Sequence, residues 1–256
     1  MPNPRLTTAL KAVQQSSEYL VEQFHARHQV SLKKDDTVLL GEDLKSEEML
    51  MSAISKAFPS DTFLTEETVT KNDGEMVWVI DPICGSYSYL RGIDTWSISV
   101  ALVSGDTYLL GVVAQPLLGN FYHCEKGHGV FRGNEKVACS EIDQLSDAFV
   151  SVEHAVFHSG KYDLMALIRQ IKRIRVGHGS GSELAYLASG VLDAVIKTDQ
   201  ALMHFAGGRA LVEEAGGTFV DFSGKRAPTY LDRDKTTDYI ACNAKLAKQL
   251  LEFVEG

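Results

Sequence analysis

The sequence predicts a layered α/β protein. Three observations carry this: two amphipathic helical stretches open the chain, short β-branched and aromatic segments fill its middle, and helix and strand signals alternate after about Gln144. The 256 residues, at roughly 100–200 per domain, suffice for one large domain or two small ones without disulfides or structural metal.

The first helix runs from about Leu6 to His28, where Leu10, Val13, Ser17, Leu20, Val21 and Phe24 recur at helical spacing. A second is expected from Ser46 to Phe58, with Glu47 and Glu48 in a first turn where acids favour the dipole and Pro59 just past the end. Phe63 to Thr65 is a short strand leading into Glu66 and Glu67. Met76 to Ile80, Trp96 to Val103, Tyr108 to Gln115 and Asn120 to Glu125 read as strands separated by Gly105-Asp106, Pro116 and Gly119, so an antiparallel or mixed sheet is expected. The second half then gives strand Ala148 to Val152, helix Lys161 to Ile171, strand Ile174 to Val176, helix Ser182 to Ser189 and strand Asp193 to Ile196. Helix Ala206 to Ala215, strands Thr218 to Asp221 and Tyr239 to Ala241, and helix Ala244 to Val254 complete it. No repeat or linker intervenes, so residues 1–143 form an N-terminal α+β half with the reactive motifs and residues 144–256 a C-terminal α/β half, with a cleft between them.

Lys plus Arg total 25 against 34 Asp plus Glu, a net charge of −9 with no basic face, so nucleic acid and anionic membrane are poor partners. Such a chain needs bound metal or local Lys and Arg to hold an anionic small molecule. The four cysteines, Cys84, Cys124, Cys139 and Cys242, form no Cys-x-x-Cys pair and fit free thiols in a reducing compartment. Without a signal-peptide pattern or a membrane-length apolar run, a cytoplasmic location is expected.

The segment Trp78-Val79-Ile80-Asp81-Pro82-Ile83-Cys84-Gly85-Ser86 is an apolar strand that delivers a carboxylate at its end and then turns. Upstream, Thr65-Glu66-Glu67 ends a second short strand in two acids. Either motif alone reads as a solvated turn; together they place oxygen donors where a hard cation such as Mg²⁺ can be shared. Gly177-His178-Gly179-Ser180-Gly181-Ser182 precedes a helix, whose N-terminal amides suit phosphate or a hydroxyl-rich ligand, although a plain turn fits as well. His154 and His158 are four apart, but Ser159-Gly160 interrupts any helix there, so they are not expected to pair on a metal. Arg169, Lys172, Arg173 and Arg175 read as a solvated helix end, with a subunit interface or a substrate phosphate as alternatives. A Cys84 nucleophile is a further candidate, but the spacing argues against a tyrosine-phosphatase loop, because six residues, not five, separate Cys84 from Arg91.

The chain resembles the inositol monophosphatase family, lithium-sensitive Mg²⁺-dependent phosphomonoesterases. The resemblance rests on Thr65-Glu66-Glu67 for the family's Gly-Glu-Glu, on Asp81 to Ser86 for Asp-Pro-Ile-Asp-Gly-Thr, and on Met203-His204-Phe205-Ala206-Gly207-Gly208 for Trp-Asp-x-Ala-Ala-Gly. Glu213 to Gly217, and Gly179-Ser180 followed by Leu184 to Gly190 and Leu192-Asp193-Ala194, extend it over nearly the whole length. It implies an α-β-α-β-α sandwich, a phosphorylated small-molecule substrate and a homodimer.

By the same resemblance the first metal, Mg²⁺, is held by Glu66, Asp81 and the Ile83 carbonyl, all present. The second falls to Asp81, Cys84 and His204, where two aspartates of the family have become a thiol and an imidazole. Asp43 matches a further family aspartate linked to a loosely held third metal, with Leu40 in place of a threonine. The implied chemistry is attack of a metal-activated water on phosphorus, with Glu66 and Ser86 orienting the water and Asp81 anchoring the metals. Gly85, Ser86, Gly179, Ser180 and Glu183 are the expected substrate contacts. Three readings of the altered ligands stay open: a mixed site for Zn²⁺, Fe²⁺ or Mn²⁺ on Cys84 and His204, a lapsed site in a ligand-binding or interaction protein, or an enzyme with a single metal or changed chemistry.

Overall fold

The computed structural model describes residues 3–33 and 37–254. Helix α1 (Pro4–Gln23) starts where the Asn3 side chain accepts the Arg5 N–H and Pro4 presets the helical φ. It buries Ala9, Ala12, Val13, Ser16, Ser17 and Leu20, and stops before the expected His28 because His25, Arg27 and His28 cannot extend that stripe. A hairpin of β1 (Val30–Leu32) and β2 (Val38–Leu40) follows. Helix α2 (Gly41–Ala57) begins well before the expected Ser46, since the Asp43 carboxylate accepts the Leu40 N–H at 2.9 Å and fixes that end. Its first-turn acids are thus Glu42 and Asp43, which leaves Glu47 inside the helix.

The seven-stranded sheet runs in chain order from β3 (Thr62–Thr65) and β4 (Val77–Cys84), through β5 (Ser97–Ser104), β6 (Thr107–Gln115) and β7 (Asn120–Glu125), to β8 (Gly129–Arg132) and β9 (Glu135–Val137). Only β3 and β4 pair in parallel, so the sheet is mixed. Helix α3 (Ser86–Leu90) interrupts the meander after β4. The five-stranded sheet is ordered β11-β10-β12-β14-β13, from β10 (Phe149–Val152), β11 (Arg173–Val176), β12 (Ala194–Ala201), β13 (Gly217–Val220) and β14 (Thr236–Asn243). Helices α4 (Val156–Ser159), α5 (Leu164–Ile168), α6 (Ser180–Ala188), α7 (Leu202–Glu214) and α8 (Ala247–Leu251) connect or follow these strands. The long helix expected over Lys161 to Ile171 shrinks to α5, because Asp163 caps it by accepting the Ala166 N–H.

Three cores fill the four interfaces between five layers. Ala9, Val13, Leu20, Leu50 and Ile54 of α1 and α2 pack on Trp78, Ile80, Val100 and Val112, one face of the larger sheet. The opposite face, through Val79, Ala101 and Val113, meets Leu184, Leu187, Phe205 and Leu211 of α6 and α7, which also cover Val195, Tyr239 and Ala241 of the smaller sheet. Beyond it, Val150, Ile196 and Ile240 pack on Leu164, Leu167 and Leu250 of α5 and α8. The result is the α-β-α-β-α sandwich that the resemblance implies. The glycines of α7 set its depth: a Cβ on Gly207 would come within 2.5 Å of Ser99 Oγ, so only a bare backbone lets the helix lie this close to β5.

Candidate active site

The ends of β3 and β4 and the start of α7 converge on a cleft of about 640 Å³ lined from both sheets. Strand β4 is fully buried up to Cys84, and its ladder with β5 breaks between Asp81 and Cys84, where Pro82 has no N–H to give. That bulge presents Asp81 and Ile83 to the cleft instead of continuing the pairing. Glu66, Asp81 and His204 bring one ligand atom each to within 4.8 Å of one another. His204 Nδ1 lies 3.2 Å from Asp81 Oδ2 and 3.9 Å from Glu66 Oε2. Asp81 Oδ1 is buried and has no hydrogen-bond partner among the described residues. A buried carboxylate oxygen without a donor is costly, and a cation shared with Glu66 would satisfy it, so this donor set fits a divalent metal.

The charges respond to this crowding. Burial and then the Glu66 charge push Asp81 up to about 7, against the opposing effect of His204. Enclosure disfavours the His204 imidazolium, but its hydrogen bond to Asp81 and the charges of Glu66 and Asp81 outweigh that and raise it to about 9. Glu66 is held low despite burial, because His204 and Lys33 both favour its charge. Burial, and next the charge of Glu66, lift Glu67 to about 7.

The other expected residues divide. The Ser86 hydroxyl lies 3.0 Å from the Ile83 carbonyl and 3.2 Å from Asp43 Oδ1, so one proton serves two acceptors that the resemblance assigns to metal. Asp43 is fully buried, and burial first, then Glu67 and Glu66, push it up to about 8. Cys84 stands apart from the converging trio: its sulfur accepts the Gly181 N–H at 3.3 Å and lies 3.7 Å from the His204 carbonyl. Burial and the neighbouring Asp81 charge keep its thiol protonated, well above the ordinary range. Gly85, Gly179 and Ser180 line the cleft. Gly179 has φ +90°, and a Cβ there would sit 2.9 Å from the Cys84 carbonyl, so glycine alone lets the start of α6 close on β4. Glu183 is buried with one oxygen 3.2 Å from Arg175 and is not among the residues that line the cleft.

Four contributors escaped the sequence reading. Lys33, just beyond β1, places its ammonium 2.6 Å from Glu66 and 2.7 Å from Glu67. Glu47, read as a dipole acid, accepts the Glu67 and Thr68 amides at 2.8 and 2.9 Å and so fixes the turn that carries Glu66. Arg233, from the segment before β14, donates to the Glu66 carbonyl at 2.7 Å. Glu153, at the end of β10, lines the cleft from the second sheet. A conspicuous signal existed only for Glu153, a lone acid closing the apolar run Phe149 to Val152.

The profile of the inositol monophosphatase family matches residues 1–255. A fructose-1,6-bisphosphatase/inositol-1-monophosphatase of Thermotoga maritima is 31% identical over 188 residues, 73% of each chain. The Nus factor SuhB of Xylella fastidiosa is 26% identical over 99% of this chain and 95% of its own. A solved IMPase structure from Thermotoga maritima superposes with a TM-score of 0.89 at 27% identity, covering 98% of this chain and 96% of that one. This chain therefore belongs to the inositol monophosphatase family.

Proposed function

We propose that the protein is a metal-dependent phosphomonoesterase acting on a phosphorylated small molecule, with a second metal position altered at Cys84 and His204. The observation that carries this reading is the buried Asp81 Oδ1 beside Glu66, which has no hydrogen-bond partner among the described residues, a cost that a bound cation would relieve in place of a proton. Glu66, Asp81 and the Ile83 carbonyl would hold Mg²⁺, and His204, with Cys84 as a further candidate, would join a softer ion such as Zn²⁺, Fe²⁺ or Mn²⁺. A divalent cation there supplies Lewis-acid stabilisation of phosphoryl oxygens. The chain's own residues do the rest. Glu66 and Ser86 orient the attacking water, and Glu66, held low, is an acceptor for its proton. Gly85, Gly179 and Ser180 line the cleft, and the backbone at Gly85 and at the start of α6 would supply amides for the phosphate.

A second reading, a ligand-binding protein without turnover, draws on Lys33, whose ammonium already pairs with both Glu66 and Glu67 and offsets part of their charge without metal. Phosphate release from a panel of sugar, inositol and amino alcohol phosphates, with metal-stripped protein given Mg²⁺, Mn²⁺, Zn²⁺ and Fe²⁺ in turn, separates the two. Release with at least one cation supports the enzyme; ester binding without release under all four supports the second reading. The assembly is taken to be a homodimer, as twofold pairs are common among small enzymes. Light scattering should give twice the chain mass, and a single-chain mass at micromolar concentration overturns it.

A further inference from the structure

The cleft wall from the second sheet carries a polar arrangement that the metal chemistry does not use. Lys197 on β12 is completely buried and its ammonium has no hydrogen-bond partner among the described residues. The carboxylate it approaches is Glu153, at 3.6 Å. The other Glu153 oxygen accepts the Gln200 amide at 2.7 Å, and Gln200 in turn accepts the Ser180 hydroxyl at 2.9 Å and donates to the Thr198 carbonyl at 3.0 Å. A bulge in β12 between Lys197 and Gln200 sets the spacing that lets both reach Glu153. The Glu153 side chain is 15% exposed, and it lines the cleft.

A buried ion pair without a hydrogen bond stabilises little, and apolar residues of similar volume would serve the fold as well or better. What this one achieves is to clamp a carboxylate at the cleft wall. Of its roughly four lone-pair sites, Gln200 engages one and the Lys197 ammonium faces the other oxygen without a hydrogen bond, which leaves acceptor capacity free. The nearby Asp199 and Asp234 also line the cleft, and Arg233 is tied to the Glu66 carbonyl, so the wall is rich in acceptors.

We propose that Glu153 is a specificity-determining residue that accepts a hydrogen bond from the alcohol part of the substrate, with Lys197 as its positioning residue. The inference rests on the phosphomonoester reading of the cleft. It selects esters whose carbon skeleton carries a donor, hydroxyl or ammonium, over plain alkyl phosphates.

Calorimetric binding of glycerol 1-phosphate, ethanolamine phosphate and ethyl phosphate in the presence of Ca²⁺ tests it independently of turnover. Wild type should bind at least one donor-bearing ester about tenfold more tightly than ethyl phosphate, a range set by one hydrogen bond to a charged group. Glu153→Ala alone strands a buried ammonium, so the double variant with Lys197→Met is the folded comparison, and there the ratio should fall to about 1. Lys197→Met should shrink the preference and Lys197→Arg restore it, whereas Glu135→Gln on β9 leaves it intact. Ethyl phosphate binding without any donor preference in wild type, or a preference that survives the double variant, overturns the inference alone. An intact preference with no phosphate release under any cation overturns only the enzymatic reading. Failure of every ester to bind overturns both.

Discussion

His204 and Cys84 occupy the positions where the resemblance places two carboxylates, and they differ in what they do there. His204 joins Glu66 and Asp81, while Cys84 faces the Gly181 amide as a protonated thiol. Replacing both with aspartate adds two anionic oxygens beside Asp81 and should raise Mg²⁺-dependent phosphate release by about tenfold or more, with each single replacement doing less. Steady-state kinetics on the best substrate of the panel checks this, and an unchanged rate contradicts it. The motif residues Glu66, Asp81 and Ser86 were legible because each ends a recognisable strand or opens a turn. Lys33 and Arg233 were not, since each reaches Glu66 from a distant segment and no local pattern marks the destination. Glu47 was visible but misjudged: a start of α2 placed at Ser46 made it a dipole acid rather than the clamp on Glu67 and Thr68.

At the scale of elements, sequence periodicity placed strands β5, β6 and β7 to within a residue or so, because alternation and turn residues fix them locally. Helix ends were less legible, as with α2, whose start depends on one carboxylate of Asp43 bonding backwards. Strands β8 and β9 went unread; they are short and partly exposed, and carry little hydrophobic signal. Helix α7 shows how an element mounts the site. Its first turn carries His204 while Gly207 lies against Ser99 and Val100 of β5. Gly207→Val should therefore force the helix outward and lower stability by about 1–3 kcal/mol or more, read as a reduced denaturant midpoint. A variant as stable as wild type would show that the close approach is dispensable. The same displacement would move His204, so loss of cation affinity should accompany it.

For the whole molecule, α6 and α7 bind two sheets into one sandwich, and the cleft is lined from both sheets. The crowded charges there make stability depend on pH in a direction that can be worked out. His204 rises from 6.5 to about 9 on folding, so its contribution is complete below pH 6.5 and is lost as pH climbs through 9. Asp81 and Asp43, raised from 3.8 to about 7 and about 8, bind protons in the native state that the unfolded chain releases, and so also favour the fold on the acid side. Thermal unfolding of metal-stripped protein should thus show a falling midpoint between pH 6.5 and 9, and His204→Gln should flatten that slope. Bound cation should offset the loss, and more so at higher pH, because it takes the place of those protons. The most direct measurement is calorimetric titration of metal-stripped wild type and Asp81→Asn with Mn²⁺ at neutral pH. Wild type should bind the ion and the Asp81→Asn protein should bind it at least about tenfold more weakly, since a ligand charge is removed from the site. Equal affinity in the two proteins would contradict the assignment of Asp81 as the ligand on which the proposed chemistry depends.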